Sequence, residues 1–182
     1  RALLSKYNIR KAPTIILSGD AGEYEVIKKA WSQLGIVADD GSYVLVVINP
    51  PYRDILSNEI RGLVEMTYLT DKSCKECYNV SEHRIIVTNP QVFNIVLSKE
   101  NYIDISESEG KEIISRYNVT LVPTILLSKE AGLYPTLLQV WPEVGTIDKD
   151  GTFIFRNVQV MQGHYKDLIK NEVMAPQSAS EE

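Results

Sequence analysis

Strand-like stretches of apolar residues recur at intervals through residues 63–128. VEMTYLT (64–70) is rich in residues that favour strands, NYIDIS (101–106) alternates between apolar and polar positions, and VPTILLS (122–128) is a short apolar run. A continuous apolar run of this length is typical of a strand that is buried on both faces. The pattern therefore predicts three strands in this part of the chain.

Two helices are predicted between these strands. The polar residues 71–73 suit a helix N-cap, so we expect a helix from about Cys74 to Thr88 that ends at Asn89-Pro90. The stretch 107–118 has the apolar spacing of an amphipathic helix, with acidic residues in its first turn. The predicted order is strand, helix, strand, helix, strand.

The pattern beyond residue 128 predicts four further features. These are an insert (129–150) with a short helix at Thr136–Trp141 that ends at Pro142, a strand after the Asp150-Gly151 turn (151–160), a closing helix (164–173) and a polar, disordered tail (173–182).

An internal repeat sets the larger organisation. SKYNIRKAPTIILSGDAGEY (5–24) matches SRYNVTLVPTILLSKEAGLY (115–134), and the same offset of 110 pairs Trp31 with Trp141, both of which we expect to be packing residues. YRDIL at 52–56 matches a later stretch at an offset of 113. We therefore expect residues 1–62 to be the second half of one repeat and residues 63–172 to be a whole one, in a trimmed or incomplete version of a longer protein.

The composition and charge of the chain limit the kinds of binding partner that we expect. The chain has 19 basic and 24 acidic residues in mixed order, a net charge of −5, and no basic run. Nucleic acid is therefore not an expected partner. We expect no direct membrane insertion by this segment, because no apolar run approaches the roughly 20 residues of a spanning helix.

The two cysteines, Cys74 and Cys77, form a C-x-x-C motif in SCKEC. Three interpretations are open: a redox pair, a stapled turn, or half of a metal site. A stapled turn closes too small a loop to add much stability. A metal site would need two more ligands, and His83 and His164 are the only histidines. His83 lies six residues after Cys77 on the same predicted helix and cannot converge with both thiols, so we predict no metal.

The element order, SCKEC at the first strand-to-helix junction and LVPT at the start of the third strand together resemble the thioredoxin fold. The resemblance implies an α/β domain with a mixed four-stranded sheet flanked by helices, preceded by the C-terminal half of a second such repeat. Tandem thioredoxin-like repeats are similar to protein disulfide oxidoreductases and disulfide isomerases. The resemblance covers residues 63–172 as a full domain and 1–62 as a closing half.

The resemblance also implies roles for individual residues. Cys74, at the helix N-terminus, is the expected nucleophile with a lowered pKa, and Cys77, expected to be more buried, is the resolving thiol. Val122 precedes Pro123, which is cis in the family and presents the backbone of the preceding residue to an extended substrate. Pro13 is its counterpart in the first repeat.

The dipeptide between the cysteines departs from the family. Lys75 and Glu76 replace the Gly-Pro or Gly-His of better-known members, and their charges are expected to modulate the thiolate in opposite senses. The direction of electron flow therefore stays open.

The leading hypothesis is a thiol-disulfide oxidoreductase that acts on protein thiols or disulfides and uses the Cys74–Cys77 disulfide itself in place of a cofactor. The alternative is a redox-inactive scaffold or chaperone module that binds partner polypeptides. A half-sheet leaves an unpaired edge, so we expect residues 1–62 to lean on the second repeat, to self-associate with another copy of the chain, or to stay poorly ordered. The absence of cysteines outside the motif fits an extracytoplasmic or membrane-tethered setting, but leaves the compartment open.

Overall fold

The chain divides into two compact units, residues 1–62 and 63–182, and the structure, a computed structural model, describes residues 2–176 of it. Among these residues, no helix has both the length and the apolar character needed to cross a membrane.

The first unit contains two helices, a 3-10 turn and six short strands. In chain order these are α1 (Ala2–Lys6), β1 (Lys11–Ala12), β2 (Ile16–Leu17), the 3-10 turn Gly19–Glu23, α2 (Glu25–Leu34), β3 (Gly35–Val37), β4 (Tyr43–Leu45), β5 (Tyr52–Asp54) and β6 (Ile60–Arg61). The strands form two antiparallel sheets, in the orders β2-β4-β3 and β1-β5-β6. A small core of Ala21, Trp31 and Tyr43 lies under α2 and β4.

The second unit contains three helices, two 3-10 turns and eight strands. They are β7 (Leu63–Thr70), α3 (Glu82–Thr88), β8 (Val96–Asp104), α4 (Ser108–Tyr117), β9 (Leu121–Val122), β10 (Thr124–Leu127), the 3-10 turn Lys129–Leu133, α5 (Pro135–Val144), β11 (Gly145–Ile147), β12 (Phe153–Phe155), the 3-10 turn Val158–Met161, β13 (Tyr165–Asp167) and β14 (Glu172–Met174).

A five-stranded mixed sheet forms the centre of the second unit, in the order β11-β12-β10-β7-β8. β7 and β8 are parallel, and the other neighbours are antiparallel. The mixed α/β class is as predicted, but the sheet has five strands and not four, because residues 145–147 of the predicted insert add β11 to its edge.

Both faces of this sheet are buried, which explains the continuous apolar run at 122–128. In β10, Ile125 and Leu127 belong to the larger core cluster, whereas the intervening Leu126 belongs to the smaller one. Alternate side chains of a strand point to opposite faces, so each face must be apolar.

Equivalent contacts recur in the two units at the offset of 110 residues. The indole Nε1 of Trp31 donates to the Ile36 carbonyl at 3.1 Å, and that of Trp141 donates to the Thr146 carbonyl at 3.0 Å. Both indoles are buried, as predicted. The local geometry of α2–β3 is thus repeated in α5–β11.

The helix predicted from Cys74 to Thr88 is wrong over its first half, because α3 begins only at Glu82. The Asp71 side chain does not cap a helix. Its Oδ1 accepts the Ser73 backbone N–H at 2.8 Å and so closes a turn, and the chain from residue 72 to residue 81 remains irregular. The cysteines therefore lie in a loop.

The closing helix predicted at 164–173 is also wrong, because the segment forms the hairpin β13–β14. Asp167 Oδ1 accepts the backbone N–H groups of Ile169 and Lys170, and Asn171 takes a φ of 55° to complete the turn. Asx turns and left-handed asparagines are features of hairpin loops that compete with a helix.

Two further boundaries differ from the prediction. α5 does not end at Trp141 but runs through Pro142 to Val144. The predicted disordered tail begins too early, since Val173 and Met174 lie in β14, while residues 177–182 lie outside the described residues. The interpretation of the two units as thioredoxin-like repeats stays a prediction.

Candidate functional site

The candidate site is the loop that carries the C-x-x-C motif directly after β7. Cys74 and Cys77 are joined by a disulfide, with their Cα atoms 5.5 Å apart. Both cysteines are half-buried, and Lys75 and Glu76 between them are exposed. The expected contrast between an exposed Cys74 and a more buried Cys77 is therefore not evident in this disulfide form.

The first half of the loop is held at the carboxyl ends of two parallel strands. Asp71 follows β7, and Asp104 ends β8 beside it, because the carboxyl ends of parallel strands lie at the same edge of a sheet. The Lys72 backbone N–H donates to Asp104 Oδ2 at 2.6 Å, and the Cys74 N–H donates to the Asp71 carbonyl at 3.0 Å. Both contacts fix the backbone just before Cys74.

Asp71 also joins the loop to β13 through a buried ion pair. Lys166 Nζ lies 2.6 Å from Asp71 Oδ2, and the two side chains are only 18% and 6% exposed. Burial alone would raise the pKa of Asp71, but the hydrogen bonds from Lys166 and Ser73 outweigh it and hold the pKa below its usual value. Asp71 therefore carries a negative charge that Lys166 neutralises.

The second half of the loop is held by His164, the residue immediately before β13. Cys77 forms an isolated parallel bridge with His164, and the Tyr78 N–H donates to the His164 carbonyl at 2.9 Å. A side chain at Gly163 would collide with Tyr78, so glycine allows the two segments to approach. The loop backbone is thus anchored on both sides of the disulfide.

Tyr78, the residue after Cys77, connects the loop to Pro123. Its hydroxyl donates to the Pro123 carbonyl at 2.7 Å and lies 3.0 Å from His83 Nε2. Since the hydroxyl has one proton, neutral His83 donates its Nε2–H to the hydroxyl oxygen. Burial lowers the pKa of His83 to about 4 and raises that of Tyr78 above its usual value, so both side chains are neutral near pH 7.

The Val122–Pro123 peptide bond is cis, as the resemblance implies, and so is the bond before the counterpart Pro13. Val122 and Pro123 are both buried, and Val122 is 0% exposed. Tyr78 thus brings the C-x-x-C loop next to the predicted substrate segment.

The backbone of Val122 already has a partner. Val122 lies opposite Lys166 in the antiparallel β9–β13 ladder, and the Leu168 N–H donates to the Thr120 carbonyl at 2.8 Å two residues away. Hydrogen-bonded pairs recur at every second position of such a ladder, so the Val122 N–H and C=O both face Lys166. The role of Val122 in holding an extended substrate stays a prediction, and β13 would have to leave before a substrate strand could pair there.

Sequence reasoning missed Lys166, Tyr78, His83 and Asp104 as parts of this site. Lys166 lies 95 residues from Asp71 along the chain, and Asp104 lies 32 residues from Lys72. No local motif marks such contacts, which depend on the sheet and on the β13 hairpin. Within residues 2–176, no group of three His, Cys, Asp or Glu side chains is arranged to hold a metal ion.

Comparison of the chain with protein-family models, curated proteins and solved structures gives no significant match.

Proposed function

We propose that this protein is a thiol-disulfide oxidoreductase whose reacting atoms are the sulfurs of Cys74 and Cys77. The observation that carries the proposal is the disulfide at C-x-x-C spacing in a half-exposed loop at the end of a central strand. A disulfide in such a position is accessible to small thiols and to thiols of partner proteins.

The proposed exchange passes through a mixed disulfide. The Cys74 thiolate attacks one sulfur of a substrate disulfide, forms a new S–S bond and releases the other substrate sulfur as a thiolate, which takes up a proton. The Cys77 thiolate then attacks the Cys74 sulfur and releases the second substrate thiol. The protein loses two electrons and two protons as its dithiol becomes a disulfide, and the substrate gains them; the reverse sequence oxidises a substrate dithiol.

We further propose that the second unit has a thioredoxin-like fold. The arrangement of its sheet supports this, because parallel β7 and β8 are followed by antiparallel β10 and β12 in the order β8-β7-β10-β12. The departures are the late start of α3, the additional strand β11 and the hairpin that replaces the closing helix.

A redox-inactive scaffold is the second candidate, and one observation favours it. The backbone of Val122, to which the resemblance assigns substrate binding, is paired with Lys166 and fully buried. In that case the disulfide would only staple the loop, and partner polypeptides would bind elsewhere.

An insulin-reduction assay with dithiothreitol separates the two candidates. The wild type should accelerate reduction over the uncatalysed rate, and Cys74→Ser should abolish the acceleration. Lys99→Gln, a substitution at an exposed position of β8 outside the loop, is the control and should retain most of the activity. Equal activity of wild type and Cys74→Ser, or no activity of either, would reject the enzyme.

A further inference from the structure

We infer that the Cys74–Cys77 pair is strongly reducing: the folded chain favours its disulfide, and the dithiol donates electrons to substrate disulfides. The direction of electron flow rests on the proposed function, whereas the disulfide preference rests on the loop alone. Three features of the loop carry the inference.

The first feature is the lack of free helical N–H groups at Cys74. A helix N-terminus lowers a thiol pKa and so stabilises the reduced state, which makes the corresponding disulfide a stronger oxidant. Here α3 starts eight residues after Cys74, and the backbone N–H groups of Glu82, His83 and Arg84 already donate to the carbonyls of residues 79, 80 and 81. They are not available to a Cys74 thiolate.

The second feature is the pairing of the nearby cations. Lys166 Nζ is bonded to Asp71, Lys72 Nζ lies 2.9 Å from Glu107 Oε1, and Lys75 Nζ donates to the Lys72 carbonyl at 3.2 Å. Two of these three cations are neutralised by a carboxylate, and Glu76 adds a further negative charge to the loop. The surroundings therefore give a Cys74 thiolate little net stabilisation.

The third feature is the anchoring of the loop backbone on both sides of the sulfurs. The Cys74 N–H is bonded to the Asp71 carbonyl, and Cys77 and Tyr78 are held by His164. None of these contacts uses a sulfur atom, so reduction of the disulfide breaks none of them directly. Two thiols held close together have a high effective concentration, which favours closure of the disulfide.

These features assign a direction to the reaction. The dithiol transfers two electrons to a substrate disulfide, which leaves as two thiols, while the protein becomes the Cys74–Cys77 disulfide. An external dithiol must then return two electrons and two protons to the pair. The substrates are therefore protein or small-molecule disulfides, and substrate dithiols are poor reaction partners.

The first test is the pH dependence of alkylation in the reduced full chain. Iodoacetamide labelling, with the labelled cysteine located by mass spectrometry, should give an inflection for Cys74 near the unperturbed thiol value of about 8.5. An inflection below about pH 7 would overturn the inference, because it would show a stabilised thiolate.

The second test is equilibration of the pair with glutathione buffers, followed by acid quenching and alkylation. The pair should remain mostly oxidised in a buffer that leaves a disulfide isomerase half reduced, with an equilibrium constant at least about tenfold more in favour of the protein disulfide. A pair that is mostly dithiol in that buffer would contradict the inference.

Asp71→Asn supplies a comparison within the loop. It releases the Lys166 ammonium from its carboxylate, so the Cys74 inflection should move to lower pH and the equilibrium should shift severalfold toward the dithiol. The wild-type measurements decide the inference even if this variant does not fold. If the wild-type measurements agree with the inference but the protein does not reduce insulin, the disulfide preference is supported and the proposed function is rejected.

Discussion

Removal of the Tyr78 hydroxyl should cost the second unit a measurable part of its stability. Tyr78 is 8% exposed, and Tyr78→Phe would leave the Pro123 carbonyl and His83 Nε2 without their partner. Each buried polar group left unsatisfied costs about 1–3 kcal/mol. We expect a loss of about 2–4 kcal/mol in the free energy of unfolding, since the phenyl ring retains the apolar packing.

Tyr117→Phe is the matched control. The Tyr117 hydroxyl donates to Asp150 Oδ2 at 2.9 Å, but the Asp150 side chain is 32% exposed and water can replace the lost bond. Its loss should be about 1 kcal/mol or less.

Urea unfolding of the oxidised protein, followed by tryptophan emission, measures both variants. A Trp31→Phe background leaves Trp141 as the reporter of the second unit, so that unfolding of the first unit does not contribute to the signal. Equal losses for Tyr78→Phe and Tyr117→Phe, or a Tyr78→Phe loss below about 1 kcal/mol, would refute the proposed link between the loop and Pro123.

Two further predictions concern pH and self-association. Burial lowers the pKa of His83 from 6.5 to about 4, so between these two values the unfolded chain binds more protons than the folded one, and the free energy of unfolding should fall by about 2 kcal/mol from about pH 8 to about pH 5. His83→Gln should remove most of this pH dependence in urea titrations, and an unchanged pH dependence would contradict the assignment to His83. In the first unit, Ile15 is 55% exposed beside β4, so Ile15→Lys should reduce self-association of the full chain in light scattering. Ile169→Lys, at a 79% exposed turn position, should not reduce it. Equal scattering from both variants would count against self-association through the sheet of the first unit that contains β4.

The strands with strong local patterns could be predicted from the sequence. β7 begins one residue before the predicted strand, and α4 lies within the predicted 107–118. β8 begins five residues before the strand predicted at 101–106, because its first half contains Ser98, Lys99 and Glu100. These polar residues are tolerated at the edge of the sheet, where one side of the strand is open, and they hide the strand pattern.

The two wrong helices show where local pattern fails. The segment 164–173 has apolar residues at helical spacing, but pairing of β13 with β9 and burial of Tyr165 outweigh that local preference. In the C-x-x-C loop, contacts with Asp104, Lys166 and His164 hold the chain in turns. A short stretch of sequence does not reveal such long-range contacts. The cysteines could therefore be found from the sequence, but the residues that contact their loop could not.

The most direct test of the central claim is capture of a mixed disulfide. Reduced Cys77→Ser protein, mixed with a disulfide-containing substrate such as insulin, should accumulate a covalent adduct on Cys74 that mass spectrometry detects and that excess dithiothreitol releases. Cys74→Ser should form far less adduct, and the wild type should resolve its adduct through Cys77. Adduct formation of equal extent on both single variants, or none on either, would contradict the assignment of Cys74 and Cys77 as an exchanging pair.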